Sequence, residues 1–222
     1  VERLEVALAS LALSVLSLGL ALVLLLPPPF TRVMSATYSE PTGAGTSELA
    51  EAARHLVVAG DPGARAILAG VMSPEAISHL DDVRAVIAAA ILVTAMLMLG
   101  LAVWIGVAVY HRRYAVLGGA LSIGAAVVAG LVVSVALFAA VDFDAFFSGF
   151  HRLFFEPGTW VFPSDSVLIR LFPEPFWVAA GVAWAVLILA VAALYAALAW
   201  ALRVLASEQG EIVGAIDRTQ NA

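Results

Sequence analysis

Four apolar runs dominate this chain, and each is long enough to cross the hydrocarbon core of a bilayer, which takes about 20 helical residues. They cover Leu4 to Leu26, roughly Val83 to Tyr110, roughly Ala115 to Val141 and roughly Phe176 to Leu205. The composition agrees with that reading. Of 222 residues, 63% are hydrophobic and 13% charged, against about a quarter charged in soluble domains. The expected fold is an all-α integral membrane protein with four transmembrane helices. It forms a single membrane domain over residues 1–222.

Several chemistries are excluded at once. A formal net charge of -6, with no basic cluster, does not suit a nucleic-acid binder, which must neutralise phosphates. Every cation is arginine, so there is no lysine for Schiff-base or nucleophile chemistry. With no cysteine there is no thiol nucleophile, thiolate metal site, disulfide or lipid-attachment site. The first run differs from a secretory signal. Its apolar core is too long, Glu2, Arg3 and Glu5 do not make a basic N-region, and Pro27-Pro28-Pro29 stands where a cleavage site would be. It is expected to be an uncleaved anchor.

The shortest connection, His111-Arg112-Arg113, puts two arginines between the second and third spans. Positive charge in short loops stays cytoplasmic. Both termini are then cytoplasmic, including the tail 206–222 with Arg218, while loops 27–82 and 142–175 face outward. Arg32, Arg54, Arg65, Arg84, Arg152 and Arg170 fall outside, in longer loops where charge weighs less on topology. The two outer loops are expected to form a small extracytoplasmic cap.

Within the first outer loop, Ser47 to Ala59 reads as a short helix. Glu48 and Glu51 begin it, Arg54 and His55 lie near its end and Gly60 follows, an order that complements the helix dipole. Asp61-Pro62-Gly63 reads as a turn, and Ala64 to Met72 as a strand or second short helix. Ser73-Pro74-Glu75 starts a helix, with Ser as N-cap and Pro at the first helical position, that runs into the second span. The tail from Ser207 is polar enough to be poorly ordered.

The second outer loop is unusual for a connection, because Asp142 to Trp177 is dense in aromatics and carries His151. Asp144, Ser148 and His151 share one stripe of a helix, with Phe143, Phe146, Phe147, Phe150, Phe154 and Phe155 supplying most of the rest. Such a helix lies in the membrane interface. At the mouth of the second span, Glu75 and Asp82 share a helix face with His79. A carboxylate on one ring nitrogen would fix the tautomer and raise the basicity of the other. The plainer alternatives are a solvated helix-start histidine at position 79 and a purely anchoring aromatic helix around His151. Co-location weighs against them, because the topology puts His79 and His151 on one side of the membrane, each beside a span. His111 is cytoplasmic and His55 lies out in the loop. No G-x-S-x-G elbow, H-E-x-x-H metal site or phosphate-binding glycine loop occurs, and no cofactor is expected.

Two patterns carry a family resemblance. S-x-E-x-x-x-H-x-x-D-V matches Ser73, Glu75, His79, Asp82 and Val83. F-H-x-x-F-F, W-x-F, D, L-I and F-P-E-x-F-W match Phe150, His151, Phe154, Phe155, Trp160, Phe162, Asp165, Leu168, Ile169, Phe172, Pro173, Glu174, Phe176 and Trp177. Both resemble the four-span bacterial family that includes the lipoprotein intramolecular transacylase, over the whole topology. The resemblance implies a membrane acyltransferase acting on a diacylated lipoprotein. It would move the sn-2 acyl chain of a diacylglyceryl-cysteine onto its α-amino group. His79 and His151 would then be the acid/base pair, with Glu75 or Asp82 orienting His79 and Arg152 holding an oxyanion or a lipid headgroup. Phe147, Phe150, Phe154, Phe155, Trp160 and Phe162 would bind the substrate by gripping its acyl chains or glycerol, with membrane lipid as a further partner. Asp165 is expected to cap the Ser166 to Phe172 turn, and Glu174 the fourth span. The alternative is a non-catalytic protein that binds lipid or lipoprotein through its aromatic loop.

Overall fold

The computed structural model describes residues 2–42 and 45–220, with side chains beyond Val204 described only at Ser207. The elements in chain order are α1 (Glu2–Leu25), α2 (Pro28–Tyr38), α3 (Thr46–Ala59), α4 (Pro62–Ala69), α5 (Pro74–Tyr110), α6 (Tyr114–Val141), α7 (Phe143–Phe154), α8 (Val167–Leu171) and α9 (Glu174–Gln220). Among the described residues there is no strand, so the choice left open over Ala64 to Met72 falls to helix. Four helices are long and apolar enough to cross a membrane: α1, α5, α6 and the stretch Glu174–Val204 of α9. On α5, Leu92, Met96, Leu99 and Val103 are 61%, 64%, 70% and 61% exposed. They recur at helical spacing, so they form an unpaired apolar stripe that suits hydrocarbon and not water.

The Cα trace divides into two compact units. One comprises Val1–Leu18, Thr94–Val133 and Leu187–Ala222. Its packing depends on small residues. Ser10, Ser14 and Ser17 form one buried stripe on α1, and Ser10 and Ser14 donate across to the Ala120 and Gly124 carbonyls of α6, both at 3.2 Å. A Cβ on Gly124 would come within 3.2 Å of Leu13 and of the Ser10 carbonyl. Lipid tails are as apolar as leucine, so close approach and interhelical hydrogen bonds drive association here. Glu5 accepts from both guanidinium nitrogens of Arg113, at 2.8 and 2.6 Å, and from the Trp104 indole at 2.9 Å.

The other unit comprises Gly19–Val93 and Ser134–Val186 and holds the short helices. Pro27 follows the end of α1, but Pro28 and Pro29 occupy the first turn of α2, where a missing N–H removes no helical bond. This short helix was not expected from the sequence. Asp61-Pro62-Gly63 is likewise a helix start: Asp61 caps α4 by accepting from Gly63 N at 2.8 Å. Gly60 ends α3 in the left-handed region at φ 66°, with its N–H on the Leu56 carbonyl. A Cβ there would lie 2.7 Å from the Arg84 guanidinium.

Leu49, Leu56, Leu68, Ile77, Leu80 and Leu171 belong to a core that joins α3, α4, the start of α5 and α8. Ion pairs link its exterior, Glu51 with Arg32 and Arg54, and Arg65 with Asp81. The cap of α8 is Ser166, whose hydroxyl accepts from Ile169 N at 3.3 Å. That corrects the expectation that Asp165 would serve. Glu174 is the first residue of α9. The backbone of α9 remains helical through Gln220, where a poorly ordered tail was expected. No proline interrupts that last stretch, and Ala, Glu, Gln and Arg are competent helix formers. Asn221 and Ala222 lie outside the described residues.

Candidate active site

The site is built from two helix ends and one tight turn, all in the second unit. α5 begins with Ser73 as N-cap, accepting from Ala76 N at 3.2 Å. Six residues later the helix turns His79 inward, 8% exposed beside the cap core. This first part of α5, with Glu75, Asp81, Asp82 and Arg84, precedes the uncharged apolar run. α7 starts at Asp142, whose side chain accepts from Ala145 N at 2.9 Å, and carries His151 in its last turn. Beyond it, Glu156-Pro157-Gly158-Thr159 makes a turn closed by Thr159 N on the Glu156 carbonyl at 3.3 Å. Gly158 has φ 90°, the value a type II turn requires at its third residue, with proline at the second. Trp160 follows directly.

These segments bring the two imidazoles together, with ring centroids 6.1 Å apart and planes 27° from parallel. Aromatic rings enclose them. His79 meets Phe155 edge-on at 4.9 Å and Phe162 at 5.6 Å. His151 lies 4.0 Å from Phe147, 4.8 Å from Trp160 and 5.6 Å from Phe155. Phe150 packs edge-on to His151 at 5.7 Å, and Phe154 packs on Phe150 at 5.1 Å. All six aromatic residues singled out in the sequence therefore meet in one cluster. His55 and His111 lie elsewhere, His55 beside Arg54 and Glu51 and His111 against Tyr110.

Hydrogen bonding distinguishes the two rings. His151 Nδ1 lies 2.8 Å from the Phe147 carbonyl. A carbonyl only accepts, so Nδ1 carries the proton and Nε2 keeps the lone pair. Burial pushes the His151 pKa below the usual histidine value, and the Phe147 bond only partly offsets this. His79 is also pushed down, first by burial and then by the charge of a protonated His151, against the raising effect of Asp82. Both rings are thus neutral at pH 7. His79 Nδ1 is buried without a hydrogen-bond partner, and so is Trp160 Nε1. A buried polar atom left in that state costs about 1–3 kcal/mol.

The expected supporting residues fare differently. Neither carboxylate hydrogen-bonds His79. The backbone N–H of Glu75 and the Ser73 hydroxyl hold the Glu75 carboxyl below its usual pKa, as the free amides of a first helical turn favour a carboxylate. Asp82 acts on His79 only through its charge. Arg152 is exposed and donates to the Ser148 carbonyl of its own helix at 3.2 Å. A cavity of about 780 Å³ lies alongside, lined by Ser73, Glu75, Ser78, Phe162 and Asp165 among others. Neither histidine lines it; Phe162 does, and its ring lies 5.6 Å from that of His79. Trp160, expected from the sequence to grip substrate, stands directly after the Pro-Gly turn with its ring 4.8 Å from His151.

The family profile described as Lipoprotein intramolecular transacylase Lit matches residues 7–177. The chain belongs to this family of acyltransferases. Its fold is similar to the in meso structure of the membrane-integral lipoprotein intramolecular transacylase Lit from Bacillus cereus. The TM-score is 0.75 at 17% identity, covering 93% of this chain and 98% of that one. Two variants of the Bacillus cereus transacylase, with a histidine replaced by arginine or alanine, match with TM-scores of 0.72 and 0.70 at 18% identity. These cover 94% and 93% of this chain, and 94% and 96% of theirs. No curated protein sequence matches the chain significantly. The transacylase fold supplies four membrane-capable helices, and among the described residues no cluster of three or more metal-ligating side chains accompanies them.

Proposed function

We propose that this protein moves the sn-2 acyl chain of a diacylglyceryl-cysteine lipoprotein onto the cysteine α-amino group, using His79 and His151 as its proton-transfer pair. The observation that carries this reading is the pairing itself: two neutral imidazoles 6.1 Å apart inside an aromatic enclosure. A protein that only gripped lipid would have no use for it.

The proton count of the reaction suits two bases. Converting an ammonium and an ester into an amide and a hydroxyl removes two protons from nitrogen and returns one to oxygen. The α-ammonium has a pKa of about 7.7–8.0, within reach of an imidazole. His79 takes its first proton. The free amine attacks the sn-2 carbonyl carbon through a medium-sized ring, whose closure is eased when the substrate is held in a reactive pose. As the tetrahedral intermediate collapses, His79 returns its proton to the departing glycerol oxygen while His151 Nε2 takes the second proton from the nitrogen. The pair therefore never holds more than one positive charge, in keeping with the repulsion that lowers the His79 pKa. His151 finally releases its proton to solvent. No covalent acyl-enzyme is involved, and the rings limit entry of water that would hydrolyse the ester.

The site sits at the outer leaflet of a bacterial cytoplasmic membrane, with both termini cytoplasmic. His111-Arg112-Arg113 supports that orientation. The test uses full-length His79→Ala and His151→Ala variants, purified alongside the native protein and given a synthetic diacylated lipopeptide. Mass spectrometry of the peptide N-terminus should find N-acylation only with the native protein. Undiminished transfer by either variant would refute the assignment of that histidine.

A further inference from the structure

We propose that Trp160 is a third catalytic residue, its indole N–H donating to the ester carbonyl oxygen as that oxygen becomes an oxyanion. The inference rests on the transacylase reading of the site, and it begins from a polar atom without a partner. Buried N–H groups in folded proteins are nearly always hydrogen-bonded, and the exceptions call for an explanation. Trp104 Nε1 donates to Glu5 at 2.9 Å and Trp177 Nε1 to the Phe172 carbonyl at 2.9 Å. Trp160 Nε1 is buried and has none. Its ring lies 4.8 Å from His151, and 6.4 Å and edge-on from Phe147, so the orphaned donor belongs to the histidine enclosure.

An acyl transfer needs such a donor. When the amine adds to the sn-2 carbonyl carbon, negative charge collects on the carbonyl oxygen, then returns to the C=O bond as the glycerol oxygen leaves. A neutral donor fixed in an apolar enclosure stabilises that charge with little reorganisation. The indole keeps its proton throughout, so the proton count of the two histidines is unchanged. Arg152, the cation expected to serve, is exposed and bonded to its own helix. Glu156-Pro157-Gly158-Thr159 supplies rigidity, because a closed turn with Gly158 at φ 90° leaves the backbone before Trp160 little freedom.

The decisive experiment replaces Trp160 in the full-length protein with 3-benzothienylalanine, which keeps the bicyclic shape and exchanges the N–H for sulfur. Turnover of a diacylated lipopeptide should fall by about 100- to 1000-fold, the usual effect of losing one oxyanion donor, with KM and melting temperature near native values. Trp160→Phe should lose at least as much turnover. Ring-fluorinated tryptophan, a stronger N–H donor, should keep full turnover or exceed it. Benzothienyl protein within threefold of native turnover, or one altered only in KM, would overturn the proposal and leave Trp160 a packing residue. His79→Ala and His151→Ala are assayed in parallel. If they are inactive while the isostere is active, only the donor assignment falls; if they stay active, the reading of the whole site falls with it.

Discussion

Replacing His151 with asparagine separates its structural bond from its chemistry. The imidazole has two polar atoms with different duties: Nδ1–H bonds the Phe147 carbonyl at 2.8 Å, and Nε2 is left to accept a proton. Asparagine carries an N–H close to the Nδ1 position and nothing at Nε2. His151→Asn should therefore keep a bond worth about 0.5–1.5 kcal/mol, which His151→Ala loses. Both variants lose the ring contacts with Phe147 and Trp160, each worth about 0.5–1.5 kcal/mol. The asparagine variant should then melt above the alanine variant by a few degrees, on a scale of about 2–4 °C per kcal/mol. Turnover should fall in both by about 100- to 10,000-fold, the range for removing a general base. That is about 2.7–5.4 kcal/mol of barrier, at 1.36 kcal/mol per tenfold. Lipopeptide turnover by mass spectrometry and thermal unfolding in one detergent would measure both quantities. An asparagine variant within tenfold of native turnover would show that Nε2 is not the base, whatever its melting temperature.

Two further outcomes are expected. Burial lowers both histidine pKa values, so turnover should hold from neutrality down through pH 6.5, about the value for a free histidine, and fall below it. Between the lowered values and 6.5 the unfolded chain binds more protons than the native state, so stability should decline as pH drops through 6.5 and level off once both states are protonated; a turnover midpoint above 6.5 in a pH–rate series would contradict this. Gly60→Ala forces an L side chain into the left-handed region at φ 66° and against the Arg84 guanidinium, so it should cost about 1–2 kcal/mol from the backbone alone; an unchanged melting temperature would mean that this turn relaxes freely.

The sequence was most legible where one physical force dominates. Four spans follow from apolar length alone, and His79 and His151 could be paired because topology put both beside spans on one side. Competing local options were harder to read. Pro28 and Pro29 look like breakers until they are seen at the start of α2, and Asp61-Pro62-Gly63 reads as a turn although it caps α4. Ser166, and not its neighbour Asp165, caps α8, a choice between adjacent cap-competent side chains that spacing does not decide. Glu75 precedes His79 by one helical turn, yet the groups that lower its pKa are Ser73 and its own amide, not the imidazole. The Ser10, Ser14 and Ser17 stripe escaped notice because, within an apolar run, small polar residues acquire meaning only when a neighbouring helix comes close.

The aromatic density of the second outer loop has a consequence beyond membrane anchoring. Phe147, Phe155, Trp160 and Phe162 lie against the two imidazoles, and it is burial that lowers both pKa values. Lower basicity alone would slow proton abstraction. The substrate ammonium entering the same enclosure is desolvated too, and burial lowers its pKa for the same reason. Donor and acceptor therefore shift in the same direction, and proton transfer stays close to balanced. Neutral rings at rest also spare the site the expense of a buried charge beside an acyl chain. The rings thus join two requirements that would otherwise conflict, an apolar channel for lipid and a working acid/base pair, and enlarging the enclosure should damage turnover more than binding.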